Sequence, residues 1–524
     1  MAFLNVPLAR RRRPGLWPAA VSGLLLALAM PGLVGWWWLA PVALVPLLSL
    51  CAQASPGRAA LGGLVASLLH HLVLLYWIVI VLGRYGGVNL VVAGGALLLL
   101  ALYMSLYAAF WAGFLAWCRQ QNTSVSRVVA FWAAPLLWVG LEWCRSWFGT
   151  GFPWMDLGYV LAGQPLLLQA ADLGGHLLLG FLLVLGNMLL FILWERWPRR
   201  SKNTWPGWAA PGLAVLLLLA WLGYGLLRVP QVEALMAAAP KQEVAVVQGN
   251  IAQDLKWSPA MQDETLHRYE ALSQPLLTGG RLVLWPETAL PFSAESSPQF
   301  TRVREFVAGA SGWLLTGAPT ATADAGGSRY YNSALLLDPT GALAGVAHKS
   351  HLVPFGEYIP LRRLLFFLAP VVETLGDFTP GHNQPPLSAG ASRIGVLICY
   401  ESIFPEIARH WVADGANLLT NLTNDAWYGR SSAPWHSQAM AVLRAVETRR
   451  ALARAANTGV SSLIDPLGRV VAFTPLFTPA QLSGSLPLLE TRTFFVRWGH
   501  WFGPLCLLLA LFGLVKVWRG RPAW

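Results

Sequence analysis

A single thiol closes the run Arg393-Ile-Gly-Val-Leu-Ile-Cys399-Tyr400-Glu401-Ser402, in which β-favouring apolar residues give way abruptly to polar ones. Such a run is expected to form a buried strand that delivers Cys399 to its C-terminal end. The chain has five cysteines, and Cys51, Cys118, Cys144 and Cys506 all lie in or beside very apolar stretches, so Cys399 has no local disulfide partner. A lone thiol is either a small buried hydrophobe or a nucleophile. The strand alone leaves both readings open.

Two further strand ends carry polar groups. Leu282-Val-Leu-Trp285-Pro286-Glu287-Thr288 places a carboxylate just after a proline that cannot continue a central strand. His348-Lys349-Ser-His351-Leu-Val-Pro354-Phe-Gly356-Glu357-Tyr358 sets a lysine in an apolar loop shaped by proline and glycine. Alone, each reads as an exposed acid or a solvated base; three such groups at the strand ends of one domain, where open α/β sheets carry their sites, read as a set. A thiol with a pKa of about 8.5 and a glutamate of about 4.3 are poorly matched for proton transfer. Burial beside Glu357 is therefore expected to raise the proton affinity of Glu287, while Lys349 favours the thiolate. The same ammonium and a backbone N–H near Cys399 or Tyr400 would hold an oxyanion during attack on an ester.

These groups fall in a segment of short β-like runs and amphipathic patterns. Strands are expected over Glu243–Gln248, Leu282–Trp285, Trp313–Gly317, Ser333–Asp338, Ile394–Ile398, Leu418–Thr423 and Ser461–Asp465, and helices over Asp263–Leu277, Gln299–Ser311, Glu401–Gly415 and His436–Ala455. The alternation implies an α/β domain, with turns at Asp338-Pro-Thr-Gly341 and Asp465-Pro-Leu-Gly468.

The remaining chain is far more apolar. Over the whole sequence 55% of residues are hydrophobic and only 12% charged, a balance that belongs to an integral membrane protein. Runs near the roughly 20 residues a bilayer requires are expected as spans over Leu16–Val34, Trp37–Cys51, Ala59–Leu82, Val88–Trp117, Val128–Trp143, Leu177–Trp194, Trp208–Leu227 and Phe502–Val517. The first, preceded by Arg10 to Arg13, resembles a secretory signal, but further spans follow at once and it is read as a retained helix. An excess of 37 basic over 25 acidic residues would suit a nucleic-acid partner. However, Arg58, Arg119, Arg127, Arg196, Arg199, Arg200, Lys202, Lys516, Arg519 and Arg521 fall in alternate loops and the tail, with only Arg84 and Arg145 between them. Membrane topology explains that asymmetry, so no nucleic acid is expected, both termini are placed in the cytoplasm and the α/β segment on the far side. The expected division is a bundle of about seven helices over 1–228, an α/β catalytic domain over 229–497, and a last helix with a cytoplasmic tail over 498–524.

Within or beside the spans, His70, His71, Glu142 and Asp156 read as internally paired or interfacial groups, a transport pathway being the alternative. Trp36 to Trp38, Trp143, Trp147, Trp154, Trp194 and Trp197 read as an interfacial belt. No phosphate-cradling glycine loop precedes a helix, so no nucleotide cofactor is expected. His348 and His351 lack a third ligand of suitable spacing, so no metal is expected. Leu361-Arg-Arg-Leu-Leu-Phe-Phe-Leu368 reads as an arm dipping into lipid or as a core helix.

The elements Trp-Pro-Glu287, Lys349 and Cys399-Tyr-Glu resemble the Glu-Lys-Cys triad of the carbon-nitrogen hydrolase (nitrilase) superfamily. With His351-Leu-Val-Pro-Phe-Gly-Glu357, Thr423-Asn-Asp-Ala-Trp-Tyr-Gly429 and the flanking spans, the full length resembles the apolipoprotein N-acyltransferase family. That resemblance implies an αββα domain facing the periplasm above an inner-membrane bundle. It also implies a phospholipid acyl donor, an S-diacylglyceryl-cysteine apolipoprotein as acceptor, a cysteine thioester between them, and no cofactor. By the same resemblance Glu287 is the general base or acid, Lys349 the transition-state stabiliser and Cys399 the nucleophile. Glu357, Tyr400 and Glu401 match further functional positions, and Trp257, in Gln248-Gly-Asn-Ile-Ala-Gln-Asp-Leu-Lys-Trp, matches a tryptophan near the lipid site. Pro434-Trp435-His436 departs from the family, many members of which have Gln before His. A tethered amidase would use the same triad but leave the bundle without a purpose. A transporter with a sensor domain would make Cys399 structural, yet the sequence has no clear internal repeat.

Overall fold

The computed structural model describes residues 14–121, 123–196, 209–294, 297–324, 327–359, 378–382 and 384–519. Among them six helices are long and apolar enough to cross a bilayer: Pro56–Leu74, Leu90–Gln120, Ser124–Arg145, Ala171–Glu195, Ala209–Ala238 and Phe502–Arg519. They match six of the eight expected spans. The first two expected spans are replaced by helices of 13 residues (Trp17–Ala29) and 9 residues (Val45–Gln53), roughly 20 and 14 Å long at 1.5 Å per residue. Gly32 and Gly35, at φ +91° and +76°, follow the first helix, and proline opens the second. The pair fold on each other, with Leu47 N donating to Ser22 Oγ at 2.9 Å. Asn187, from the helix Ala171–Arg196, accepts from Leu44 N at 2.8 Å and donates to Ala40 O at 2.7 Å. It thereby satisfies non-helical backbone that a bilayer cannot hydrate.

The α/β segment contains strands β1 (Lys241–Gln248), β2 (Leu282–Leu284), β3 (Trp313–Asp324), β4 (Gly327–Leu337), β5 (Leu343–His348), β6 (Leu387–Ala389), β7 (Ser392–Ile398), β8 (Leu418–Thr423), β9 (Ala451–Ala456), β10 (Ser462–Ile464), β11 (Val470–Phe473) and β12 (Ala480–Pro487). They form two six-stranded sheets, ordered β12-β1-β2-β3-β4-β5 and β11-β10-β9-β8-β7-β6. Parallel pairing of β1 to β3 and of β7 to β9 aligns their C-terminal ends, so the polar residues that follow can meet.

The inner faces share one core, with Val244, Val246 and Leu284 from the first sheet and Val396, Ile398 and Leu418 from the second. On the first sheet's outer face, Val283, Trp285 and Leu314 pack with Leu266 and Tyr269 of the helix Gln262–Ser273 and with Val303 and Val307 of Pro298–Ala308. The second sheet is covered by helices Pro405–Ala413 and Ala433–Thr448, and the latter also packs on the bundle helix Ala171–Arg196. These layers make the expected αββα sandwich.

Local differences have local causes. The helix expected over His436–Ala455 ends at Thr448, where Arg449 adopts a left-handed conformation (φ 53°). The alanine-rich β9 then lies between β8 and β10, where tertiary pairing overrides helix propensity. The helix expected over Glu401–Gly415 splits into a 3₁₀ turn, Cys399–Ile403, and a helix starting at Pro405, because the residue before a proline is driven extended. The apolar stretch Leu361–Leu368 lies outside the described residues.

Candidate active site

Cys399 follows β7 directly and takes φ of 54°, a region costly for any residue with a side chain and frequent at functional sites. Its carbonyl accepts from Ser402 Oγ at 3.1 Å. Glu401 ties this turn to the neighbouring loop: Oε2 accepts from Ile398 N at 2.7 Å, and Oε1 accepts from Ser350 N, Ser350 Oγ and His351 N at 2.6, 2.7 and 3.0 Å. The thiol's turn and the Lys349 loop are therefore one hydrogen-bonded unit.

Glu287 lies in the turn after β2, which β3 approaches so closely that only glycine fits at position 317. A Cβ there would stand 2.4 Å from Thr288 N and 2.6 Å from Glu287 Cα. The Glu287 carboxylate accepts from Asn332 Nδ2 at 2.8 Å and Asn424 N at 2.9 Å, and Oε1 lies 3.5 Å from Lys349 Nζ. Lys349, just past β5, donates to Glu357 Oε1 at 2.9 Å; Glu357 also accepts from Asn332 Nδ2 at 3.0 Å and Val353 N at 2.8 Å. Cys399 is a partly exposed residue, and Glu287 and the Thr423 hydroxyl are near enough to its thiol to act on its proton affinity. The fold thus brings Glu287, Lys349, Glu357 and Cys399 into one cluster.

The electrostatics differ from the sequence-based expectation. Burial alone would raise the Glu287 carboxyl, but Lys349, the hydrogen bonds from Asn332 and Cys399, and Lys256 together hold it below the ordinary carboxylate range. Burial likewise opposes the Lys349 charge, and Glu357, Glu287 and Cys399 outweigh it, keeping the ammonium protonated. The Cys399 thiol is pushed up to about 12 by burial and by Glu287, against the pull of Lys349. At rest the sulfur is therefore a protonated thiol facing an ionised acid, with no preformed thiolate. A nucleophilic sulfur at this position would need a base, and Glu287 is the ionised carboxylate beside it.

The other candidates lie in different positions. Tyr400 is buried, its ring 5.2 Å from that of Phe404 and 6.0 Å from that of His351. Trp257 is 42% exposed. Trp154, expected in the interfacial belt, is instead buried, with its ring 4.6 Å from that of Trp77 and its Nε1 donating to His436 Nδ1 at 3.3 Å. His436 therefore packs at the junction with the bundle. Three residues of the cluster's support escape sequence reasoning: Asn332, Asn424 and Lys256. Lys256 Nζ donates to Glu287 O at 3.1 Å and Thr288 Oγ1 at 2.6 Å. The only sequence signal for it is a lone lysine between two large apolar residues, Leu255 and Trp257.

The chain matches two family models, Carbon-nitrogen hydrolase over residues 243–493 and Apolipoprotein N-acyltransferase N-terminal domain over residues 22–189. It is 41% identical over 492 residues to the apolipoprotein N-acyltransferase of Geobacter metallireducens, covering 93% of this chain and 92% of the relative. It is 36% identical over 537 residues to that of Azotobacter vinelandii, covering 98% and 97%. Among solved structures it is similar to an amidase from Nesterenkonia sp., at 22% identity over 48% of this chain and 91% of that one, with a TM-score of 0.35.

Proposed function

This chain belongs to the apolipoprotein N-acyltransferase family, and from that premise we propose that Cys399 takes a fatty acyl chain from a phospholipid and passes it, as a thioester, to the N-terminal α-amine of an S-diacylglyceryl-cysteine apolipoprotein. The observation that carries this reading is the convergence of Cys399, a partly exposed residue, with an ionised Glu287 and a charged Lys349. In the first half-reaction Glu287 accepts the thiol proton as sulfur attacks the ester carbonyl. The S–C bond forms, and the oxyanion is held by the Lys349 ammonium and a backbone N–H of the cysteine turn. The C–O bond then breaks, and Glu287 returns the proton to the leaving alkoxide of the lysophospholipid. An α-amine, with a pKa of about 7.7–8.0, next attacks the thioester; N–C forms, C–S breaks, and Glu287 carries the amine's proton back to sulfur.

Glu357 supports this cycle by orienting Lys349, and Glu401 by fixing the turn that carries the nucleophile. Tyr400, a residue of that turn, packs on Phe404 and His351, and Trp257, exposed beside the exposed Leu255, is assigned to lipid contact. The bundle over 1–228 and the helix over 498–524 anchor the catalytic segment 229–497. Six crossings and eight have the same parity, and either count supports both termini in the cytoplasm and catalysis at the periplasmic face of a bacterial inner membrane.

The test is incubation with a phospholipid labelled in its acyl chain. The expected result is label on Cys399, labile to hydroxylamine and discharged by a diacylated lipopeptide. Protein that N-acylates the lipopeptide without ever carrying label on Cys399 would overturn the thioester route.

A further inference from the structure

Lys256 inverts the ordinary order of exposure. Its apolar neighbours Leu255 and Trp257 are 47% and 42% exposed, while the lysine itself is 1% exposed. A buried ammonium is costly unless something compensates it, and the two hydrogen bonds of this one go to neutral oxygens, Glu287 O and Thr288 Oγ1. Both acceptors belong to the turn that presents the Glu287 carboxylate, and Thr288 is held there at φ of 46°.

The charge count explains the placement. Lys349 is engaged by Glu357 at 2.9 Å and stands farther, 3.5 Å, from Glu287. That pair is neutral together, which leaves the Glu287 charge to be balanced by another cation. Without one, the cluster would carry a net negative charge beside a thiol that must lose a proton, and both proton transfer and oxyanion formation would be opposed.

We propose that Lys256 is a positioning residue for the general base, clamping the Pro286–Thr288 turn and supplying the cation that balances Glu287. The inference rests on the assignment of Glu287 as base. Lys256 acts through Glu287 and does not itself exchange a proton with substrate. Burial, against the opposing pull of Glu287 and Cys399, lowers the ammonium to about 8, so its charge is present at neutral pH and lost in mild alkali. Glu287, Cys399, Lys349, Glu357, Asp425 and Tyr428 are the other titratable groups around it, and Asp425 is paired with Arg454.

The experiment measures the pH dependence of thioester formation from labelled phospholipid in the full-length enzyme, with no amine acceptor present. Lys256→Met is expected to slow formation roughly 10- to 100-fold and to move the acid limb upward by about one pH unit, because the carboxylate loses a nearby cation. The wild type is expected to lose rate as pH rises through about 8, a limb that Lys256→Met lacks. Thr288→Val keeps the charge and removes one acceptor, and is expected to leave both limbs in place. Lys256→Gln serves the same comparison where the Met variant does not accumulate. An equal slowing in the Lys256 and Thr288 variants with unmoved limbs would overturn the proposal, leaving Lys256 as a clamp alone. A wild-type profile with no acid limb, despite label on Cys399, would instead overturn the assignment of Glu287 as base.

Discussion

Two buried ionic clusters, one at the catalytic centre and one where the sandwich meets the bundle, are built from the same residue types and differ in what they leave free. At the junction, Asp156 accepts from Arg145 and, at 2.9 Å, from His176 Nε2. His176 N donates to Glu447 Oε1 at 3.0 Å, and Arg444 Nη2 donates to that oxygen at 3.0 Å. Arg449 joins the same surface by pairing with Asp172 at 2.8 Å. The bundle helix bends at Gly175 (φ 68°), where a Cβ would meet the Phe495 ring at 2.9 Å. Acid and base alternate along this seam, and each charge named there meets a buried partner of opposite sign. In the catalytic cluster the charges surround the neutral thiol of Cys399, a partly exposed residue, and their arrangement favours a charge that develops only during reaction. Burial of ion pairs is therefore no signature of catalysis; the signature is a reactive group kept open among them.

The comparison breaks most completely at the sulfur. Cys399→Ala is expected to abolish thioester formation and to lower transfer by on the order of 10⁴-fold or more, with membrane insertion unchanged; labelled-lipid assays and detergent extraction check both. Glu287→Gln and Lys349→Met should each slow thioester formation by about 10²- to 10⁴-fold, measured by single-turnover kinetics. The pH profile sharpens this point. Glu287 must be ionised to act as base, and its carboxyl is held below the ordinary range. The rate should therefore fall only as the medium is acidified below about pH 4.3. A raised proton affinity, the expectation from sequence, would instead put the fall nearer neutrality.

That correction marks how far the sequence could be read. Glu287, Lys349 and Cys399 were legible because each stands where a β-like run stops at a polar group. The sign of the Glu287 shift was not, because Lys349 outweighs burial together with Asn332, Cys399 and Lys256, and of these Asn332 has no local signal and Lys256 is disguised by Leu255 and Trp257. The six long spans were legible from length and apolarity. The two N-terminal stretches satisfied the same composition but are interrupted by proline and glycine, and the structure turns them into a short packed pair. β9 was hidden by its alanines, since nothing local in Ala451–Ala456 distinguishes a central strand from the end of a helix. Trp154 and His436 were illegible as partners because their contact joins two parts of the chain 282 residues apart.

At the junction the expected loss is of stability. Arg444→Met leaves Glu447 and Tyr159 without their guanidinium partner in a buried seam, a change that typically costs about 3–5 kcal/mol. The thermal midpoint of the purified protein in detergent should fall by several degrees, while the fraction that remains folded still forms the thioester. Loss of labelling with an unchanged midpoint would move Arg444 from the structural seam to the catalytic machinery, and the contrast between the clusters would collapse.

The smallest effect belongs to an ion pair that neither cluster contains. Arg393 Nη2 meets Glu490 Oε1 at 2.7 Å with both side chains largely in solvent, where water screens the attraction and ordering two long side chains offsets it. Glu490→Gln is therefore expected to leave the thermal midpoint and the thioester rate within experimental error. The native Arg393–Glu490 pair has the geometry of the buried contacts without their burial, so comparing its loss with that of Arg444 isolates burial as the variable. A loss comparable to that of Arg444→Met would mean that pairing alone governs these contacts, and the distinction between seam and surface would have to be abandoned.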